Sequence, residues 1–137
     1  MKRKLNWGLL STARINDKII PAINNSKYAN LYAVATNKNK KIKNYAKIRK
    51  IPNYFNSYED LIKDKNIDVI YISTPNHLHA KWIIKAVKER KNVLCEKPIT
   101  ISVKEINQIK KIVLKHGVIV QEATMMRFHP QTMYIRE

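Results

Sequence analysis

Short apolar runs alternate with longer amphipathic segments along this chain, and this alternation constrains the fold more than any other feature of the sequence. The periodicity predicts strands over residues 5–10, 31–36, 54–55, 67–73, 92–95 and 118–121. It predicts helices between them, including 37–50, 58–63, 77–90 and 102–116. Successive strands that are joined by helices pair in parallel. The sequence therefore predicts a doubly wound α/β fold, with a mostly parallel sheet that helices cover on both faces.

The apolar run 92–95 ends in an acid, a base and a proline, which are Glu96, Lys97 and Pro98. In open α/β sheets, ligands bind at the carboxyl ends of the strands, so this position predicts a functional site. An ammonium such as that of Lys97 can hydrogen-bond a carbonyl oxygen while negative charge develops on it, and the neighbouring acid can orient the ammonium. A surface ion pair at a strand end is the alternative interpretation.

A dinucleotide-binding fold also needs a tight turn after its first strand, where backbone amides and a helix N-terminus hold the pyrophosphate. The usual glycine pattern is absent, because Ser11, Ala13 and Asn16 stand at the corresponding positions and Gly8 lies within the strand. Small residues permit close approach of a phosphate, and the hydroxyls of Ser11 and Thr12 offer additional donors. The segment fits either a phosphate-binding turn or an ordinary strand-to-helix turn.

The end of the second strand distinguishes between the two nicotinamide cofactors. An acidic side chain there binds the ribose 2′-hydroxyl of NAD, whereas basic and polar groups accept the 2′-phosphate of NADP. This sequence offers Thr36, Asn37 and Lys38 and no acid. The absence of Asp and Glu favours NADP, with NAD as the alternative.

Composition narrows the choice of partners and compartment. The net charge of +17 would attract polyanions, but the lysines are spread along the 137 residues, and a chain rich in Lys, Asn and Ile also follows from an A/T-rich coding sequence. We therefore expect no specific nucleic-acid partner.

No apolar run approaches the roughly 18 to 20 residues of a membrane span, so no membrane association is expected. The single cysteine, Cys95, excludes an internal disulfide and fits a reducing, cytoplasmic location.

Two histidines, His77 and His79, form a His-x-His pair, but no cysteine or acidic cluster accompanies them, so we expect no metal site. His79 is expected to face the ligand crevice from the first turn of its helix.

Four spaced segments together resemble the glucose-fructose oxidoreductase and inositol dehydrogenase family (Gfo/Idh/MocA). They are STARI at 11–15, TPNHLH at 74–79, LCEKP at 94–98 and EATMMRFHP at 122–130. Within the family, the glycine-poor first turn is similar to that of dimeric dihydrodiol dehydrogenase and NADP-dependent xylose dehydrogenase.

The resemblance implies a Rossmann domain over residues 1–122 that binds NADP, or NAD, and transfers hydride to or from the carbonyl carbon of a sugar, polyol or related substrate. It places the 11–15 turn at the pyrophosphate and residues 36–38 at the adenosine ribose. It places Glu96 and Lys97 at the nicotinamide ribose and the substrate, with Lys97 as the catalytic residue. The implied cofactor-binding residues are Ser11, Thr12, Ala13, Arg14, Ile15, Thr36, Asn37, Lys38, Thr74, Pro75, Asn76, His79, Glu96, Lys97 and Arg127.

The family pattern continues into an α+β substrate domain, and residues 123–137 are expected to be the start of the connection to it. That domain would be missing here, so we expect cofactor binding with weak or absent turnover, and homo-oligomers only where the second domain is present. The alternative functions are a basic Rossmann-like protein that binds a polyanion without catalysis and a non-catalytic assembly module with a docking surface at residues 125–134. The substrate cannot be identified from these residues.

Overall fold

A computed structural model describes residues 3–37 and 41–136 of the chain. Strands and helices alternate in the order β1 Leu5–Leu10, α1 Asn16–Asn25, β2 Ala29–Ala35, α2 Ile42–Ile48, β3 Asn53–Phe55, α3 Tyr58–Lys63, β4 Val69–Ile72, α4 His79–Lys88, β5 Asn92–Cys95, α5 Val103–His116, β6 Val120–Glu122 and α6 Pro130–Arg136. Single 3-10 turns cover Asn76–Leu78 and Met125–Phe128. Within these ranges, no helix is both long and apolar enough to span a membrane.

The six strands form one sheet in the order β3-β2-β1-β4-β5-β6, and every neighbouring pair is parallel. The predicted doubly wound α/β fold is therefore confirmed. The chain proceeds outward from β1 to β3 on one side and then returns to start β4 on the other side of β1. The crossovers at the carboxyl ends of β1 and β4 diverge for this reason, which opens a crevice at that edge.

Alternate residues of each strand face opposite sides of the sheet, and each side has its own core. Ile70 and Ile72 of β4 belong to a cluster with buried residues of α3, α4 and α5. Tyr71 of the same strand belongs to a second cluster, with buried residues of α1 and α2. Trp82, Ile83 and Ala86 of α4, and Ile109 of α5, are all buried.

Gly8 lies within β1 because α3 packs closely against it. A Cβ atom at this position would lie 2.8 Å from Cδ2 of Leu61 and 3.0 Å from Cδ1 of Ile67. Both neighbours are buried, so neither can move away without disturbing the core. This glycine serves the packing of strand against helix.

Local signals set several helix ends as predicted. Ser57 caps α3 by accepting a hydrogen bond from the backbone N–H of Asp60 at 3.2 Å. Gly117 ends α5 with a left-handed φ of 64°.

Other predicted boundaries were wrong. Of the helix predicted over 37–50, α2 covers Ile42–Ile48, whereas residues 49–50 form a turn and residues 38–40 lie outside the described residues. The helix predicted over 77–90 begins later, because Asn76–Leu78 form a 3-10 turn and α4 starts at His79. The sixth strand begins two residues later than predicted, at Val120. Residues 123–137, for which no helix was predicted, contain α6.

Candidate functional site

One face of the sheet is incompletely covered, and it leaves a groove of about 970 Å³ beside β1, β4, β5 and β6. Ile15 and Ile19 lie on one side of this groove, and Met125 and Phe128 lie on the other. Glu96, Lys97 and Thr124 line the same groove at the carboxyl end of the strands. Ile15, in the turn that follows β1, and the predicted catalytic residue Lys97 therefore border one continuous space.

The turn that follows β1, residues 11–16, is called the β1 turn below. Ser11 begins it with a φ of 117°, a conformation that favours glycine and that other residues adopt at a cost. The turn therefore has the backbone geometry of a glycine-containing turn, although a serine provides it. Ser11 is buried, whereas Thr12, Ala13 and Ile15 are half-buried and Arg14 is exposed.

Neutral side chains anchor the β1 turn to the end of β4. The Ser11 hydroxyl lies 2.9 Å from the Ser73 hydroxyl and 3.1 Å from the Ser73 carbonyl oxygen. Asn16 is fully buried, and its Nδ2 donates to the Ser11 carbonyl at 2.9 Å and to the Tyr45 hydroxyl at 3.2 Å. The Ser73 hydroxyl donates to Oδ1 of Asn16 at 3.1 Å. The network fixes the turn at the point where the strand order reverses.

Backbone donors of the β1 turn remain available for a ligand. The N–H of Ala13 donates to the Ser11 hydroxyl at 3.1 Å, and the N–H of Asn16 donates to the Ala13 carbonyl at 3.0 Å. Among residues 3–37 and 41–136, no acceptor is found for the N–H groups of Thr12, Arg14 and Ile15. Three such donors before a helix N-terminus form an anion-binding arrangement, which fits the pyrophosphate of a dinucleotide.

The end of β2 provides the predicted adenosine side of the crevice. Thr36 is buried, and its side chain is hydrogen-bonded to that of Tyr58. Asn37 is exposed, and its Oδ1 accepts a hydrogen bond from the Tyr58 N–H at 2.7 Å. Lys38, the third residue predicted here, lies outside the described residues. Thr36 and Asn37 are therefore both fixed to the start of α3.

The end of β4 provides a polar group that lacks a partner. Thr74 is buried, and its Oγ1 has no hydrogen-bond partner within the described part of the chain. A buried hydroxyl without a partner is uncommon, because its desolvation is not compensated. Its place beside the crevice fits a polar ligand group. Pro75 and Asn76, which follow, are exposed.

The turn that follows β5, residues 96–99, is called the β5 turn below, and it carries Lys97. His79 is fully buried at the start of α4, and its ring nitrogens contact two carbonyl oxygens, those of Thr74 and Pro98, each at 2.8 Å. On the other side, Glu122 at the end of β6 accepts a hydrogen bond from the Ile99 N–H at 2.8 Å. Two elements thus hold the β5 turn from opposite sides, and His79 joins it to the end of β4 rather than facing the open crevice.

The two charged residues of the β5 turn differ in their surroundings. Glu96 is half-buried, and its Oε1 accepts a hydrogen bond of 2.5 Å from the Tyr71 hydroxyl. Lys97 is exposed and lines the groove. Cys95, immediately before the turn, is fully buried, and burial, with the nearby Glu96 and Glu122, raises the pKa of its thiol to about 12.

Most of the predicted residues follow the carboxyl ends of β1, β2, β4 and β5, but only Ile15, Glu96 and Lys97 line the groove. Arg127 lies apart from them, exposed on the 3-10 turn after β6. In the described ranges, no group of three or more His, Cys, Asp or Glu side chains is arranged to hold a metal ion.

Sequence reasoning did not identify the residues that hold the site together. Asn16 was noted only as a replacement for a glycine, and Ser73, Tyr71 and Glu122 were assigned no role. Tyr71 and Glu122 act on residues that lie far from them in sequence. Only the position of Ser73, Tyr71 and Glu122 in the sequence could have indicated a role, because each lies in or directly after a strand that ends at the predicted crevice.

Comparison with known proteins places this geometry in context. The profile of an oxidoreductase family with an NAD-binding Rossmann fold, GFO_IDH_MocA, matches residues 5–124. Trans-1,2-dihydrobenzene-1,2-diol dehydrogenase of Xenopus laevis is 35% identical over 132 residues, which are 95% of this chain and 40% of the relative. D-xylose 1-dehydrogenase (NADP(+)) 2 of Haloferax volcanii is 39% identical over 127 residues, which are 92% of this chain and 39% of the relative. The chain thus spans about 40% of the length of these relatives.

Solved structures share the fold. The 3-ketoreductase KijD10 of Actinomadura kijaniata, crystallised with NADP and TDP-benzene, superposes with a TM-score of 0.90 at 24% identity, over 97% of this chain and 41% of that one. Myo-inositol 2-dehydrogenase of Lactobacillus plantarum superposes with a TM-score of 0.86 at 23% identity, over 98% of this chain and 40% of that one.

Proposed function

The chain belongs to the Gfo/Idh/MocA oxidoreductase family, whose matching domain is an NAD-binding Rossmann fold, and from this premise we propose that it binds NADP(H) for hydride transfer with a sugar, polyol or related carbonyl substrate. The observation that carries the proposal is the β1 turn, where Ser11 has a φ of 117° and the N–H groups of Thr12, Arg14 and Ile15 lack acceptors among the described residues. This turn stands at the switch point of the sheet, where dinucleotides bind.

The adenosine half would lie at the end of β2. Thr36 and Asn37 are neutral, and neither can make the carboxylate contact that favours the free 2′-hydroxyl of NAD. The Haloferax volcanii relative is by name an NADP(+) enzyme, and KijD10 was crystallised with NADP. Both observations support NADP as the preferred cofactor, with Lys38 as a further contact to the 2′-phosphate.

The nicotinamide half would lie over the ends of β4 and β5. The Thr74 hydroxyl, Asn76 and the Glu96 carboxylate would bind and orient it, and Arg127 would approach from the 3-10 turn after β6. When bound, the cofactor accepts or donates the hydride. Lys97 is proposed as the catalytic residue: its ammonium donates a hydrogen bond to the substrate oxygen and stabilises negative charge there. The β5 turn, held by His79 and Glu122, fixes the position of Lys97.

The substrate classes follow from the relatives, which by name act on a dihydrodiol and on D-xylose. We propose residues 1–122 as the cofactor-binding domain and 123–137 as the connection to a substrate-binding part of the kind that accounts for the remaining length of the relatives. Because proximity and orientation of the two reactants supply much of the rate, turnover by the 137-residue chain alone is expected to be weak.

A titration tests the proposal directly. NADPH fluorescence is followed as the purified chain is added, and the same chain is titrated with NADH and with 2′,5′-ADP, which carries only the adenosine half. NADPH is expected to bind at least about tenfold more tightly than NADH, since hydrogen bonds to a charged 2′-phosphate contribute about 1.5–3 kcal/mol. A folded chain that binds none of the three would overturn the proposal, and retention on a polyanion would then favour the non-catalytic alternative.

The catalytic role of Lys97 needs a substrate-binding part. The chain is therefore joined to the second part of the Haloferax volcanii relative, and Lys97→Ala is compared with the exposed Lys81→Ala on α4. Loss of Lys97 is expected to lower kcat by about 100-fold or more with NADPH affinity nearly unchanged. Equal activity of the two variants would remove Lys97 from the mechanism.

A further inference from the structure

Tyr71 is a fully buried tyrosine in the middle of the sheet, and the hydride-transfer role proposed for Lys97 does not involve it. It lies on β4 in register with Leu9 of β1 and Leu94 of β5. A phenylalanine would supply the same aromatic packing between these neighbours. The hydroxyl adds a polar group whose burial costs free energy unless it is hydrogen-bonded, so its partner indicates its purpose.

That partner is the Glu96 carboxylate at the rim of the crevice. The Tyr71 hydroxyl donates to Oε1 of Glu96 at 2.5 Å. Burial raises the pKa of Tyr71 far above its usual range, and the Glu96 carboxylate raises it further, so the phenol keeps its proton and remains the donor. A hydrogen bond from a neutral donor to a carboxylate is among the stronger kinds in proteins.

The bond constrains how Glu96 presents its carboxylate. Glu96 is half-buried, and without a fixed contact its side chain would sample several rotamers. One carboxylate oxygen is held by Tyr71, and within the described residues no hydrogen bond to Oε2 is found. The free oxygen lies on a side chain that lines the same groove as Lys97.

We infer that Tyr71 is a positioning residue for the nicotinamide half of the cofactor, acting through Glu96. By fixing one oxygen of the carboxylate, it presents the other to the hydroxyls of the nicotinamide ribose. The inference rests on the proposed function, because it assumes that the cofactor occupies the crevice. A buried residue, Tyr71, would then contribute to cofactor affinity although it does not itself contact the cofactor.

The test separates the two halves of the cofactor. Tyr71→Phe is titrated with NADPH and with 2′,5′-ADP, beside Tyr32→Phe, a control tyrosine on β2 that packs against the cluster on the opposite face of the sheet. Tyr71→Phe is expected to weaken NADPH binding by about 3- to 10-fold, as loss of one hydrogen bond predicts, while 2′,5′-ADP binds as before. Tyr32→Phe is expected to change neither.

A double-mutant cycle shows whether Tyr71 acts through Glu96. NADPH affinity is measured for Glu96→Ala and for Tyr71→Phe combined with Glu96→Ala. If Tyr71 acts through the carboxylate, its replacement has no effect once the carboxylate is gone. Circular dichroism of each variant identifies any that fail to fold, and Glu96→Leu, which also lacks an acceptor for the Tyr71 hydroxyl, then replaces Glu96→Ala in the comparison.

The outcomes are distinct. If the original chain binds neither NADPH nor 2′,5′-ADP, the proposed function fails and this inference fails with it. If the chain binds NADPH but Tyr71→Phe behaves like Tyr32→Phe, or weakens NADPH and 2′,5′-ADP equally, the proposed function stands and the positioning role is overturned.

Discussion

The β1 turn and the β5 turn lie at the same edge of the sheet, but different chemistry holds them in place. The β1 turn is fixed by neutral side chains, Ser11, Asn16 and Ser73, that bond to one another and leave backbone N–H groups for a ligand. The β5 turn is fixed by His79 and Glu122, which bond to its backbone and leave side chains for a ligand. One turn therefore offers a ligand backbone donors, and the other offers it charged side chains.

This difference explains how each half of the candidate site could be predicted. Backbone donors have no residue identity, so the residues of the β1 turn alone fitted either a phosphate-binding turn or an ordinary turn, and the family resemblance was needed to assign the turn to the pyrophosphate. The Glu96–Lys97 pair could be predicted from residue type, because an acid and a base at a strand end indicate a ligand site. We therefore expect mutations in the two turns to differ in their effects on stability and on ligand affinity.

The largest expected effect concerns Cys95, which reports on opening of the β5 turn. Burial raises the pKa of its thiol from 9.0 to about 12, so far less of it is ionised near pH 8 than of an ordinary thiol. Labelling of the native chain by a thiol reagent should be at least about 100-fold slower than labelling in urea. Since the unfolded thiol ionises near pH 9 and the folded one does not, the chain should also lose stability as the pH rises above about 9. Native labelling at the unfolded rate would show that the turn is open.

Next in size is the effect of His79→Ala, which leaves the Thr74 and Pro98 carbonyls without their shared partner. The free energy of unfolding in urea should fall by about 2–4 kcal/mol. His77→Ala is the control, because His77 is exposed two residues earlier, and it should cost less than about 0.5 kcal/mol. Similar losses in the two variants would mean that His79 does not hold the β5 turn.

Asn16→Ala tests the β1 turn in the same way. It removes the donor to the Ser11 carbonyl and the acceptor of the Ser73 hydroxyl, which should cost about 1.5–3 kcal/mol of stability in urea. NADPH and 2′,5′-ADP should both bind more weakly, since this turn is proposed to hold the adenosine 5′-phosphate that both ligands carry. Asn24→Ala, at an exposed position of α1, serves as the control. A loss confined to NADPH would contradict the assignment of the turn.

Glu122→Ala removes the acceptor of the Ile99 N–H. Because Glu122 is only half-buried and water can replace the carboxylate, the loss of stability should be about 1–2 kcal/mol. NADPH affinity should fall, whereas 2′,5′-ADP affinity should stay constant. An equal effect on both ligands would show that the two turns do not act separately.

The smallest effect is expected from the conformation of Ser11. Ser11→Gly and Ser11→Ala both remove the hydroxyl, but only glycine adopts a φ of 117° without strain. The glycine variant should be more stable than the alanine variant by about 1 kcal/mol, measured by urea unfolding. Equal stabilities would indicate that the turn relaxes to another conformation.

The parallel sheet and the positions of its strands could be predicted because periodicity is a local property, and runs such as 67–73 are unambiguous. Helix α2 was predicted too long at its carboxyl end, since residues 37–50 contain no glycine or proline to mark the end of the helix at Ile48. The bonds from Tyr71 to Glu96 and from Glu122 to Ile99 could not be predicted, because they join positions 25 and 23 residues apart. Such contacts depend on which strands become neighbours and on which side chains share a face.

The bond between Glu122 and Ile99 sets a limit on how far this unit can be trimmed. A piece that ended at Gly117 would keep five of the six strands and the whole β1 turn. It would nevertheless lose all of β6, including Glu122, and the loop bearing the lysine would be released on one side. A version of this domain that is grafted onto another scaffold should therefore retain β6, the strand at the edge of the sheet.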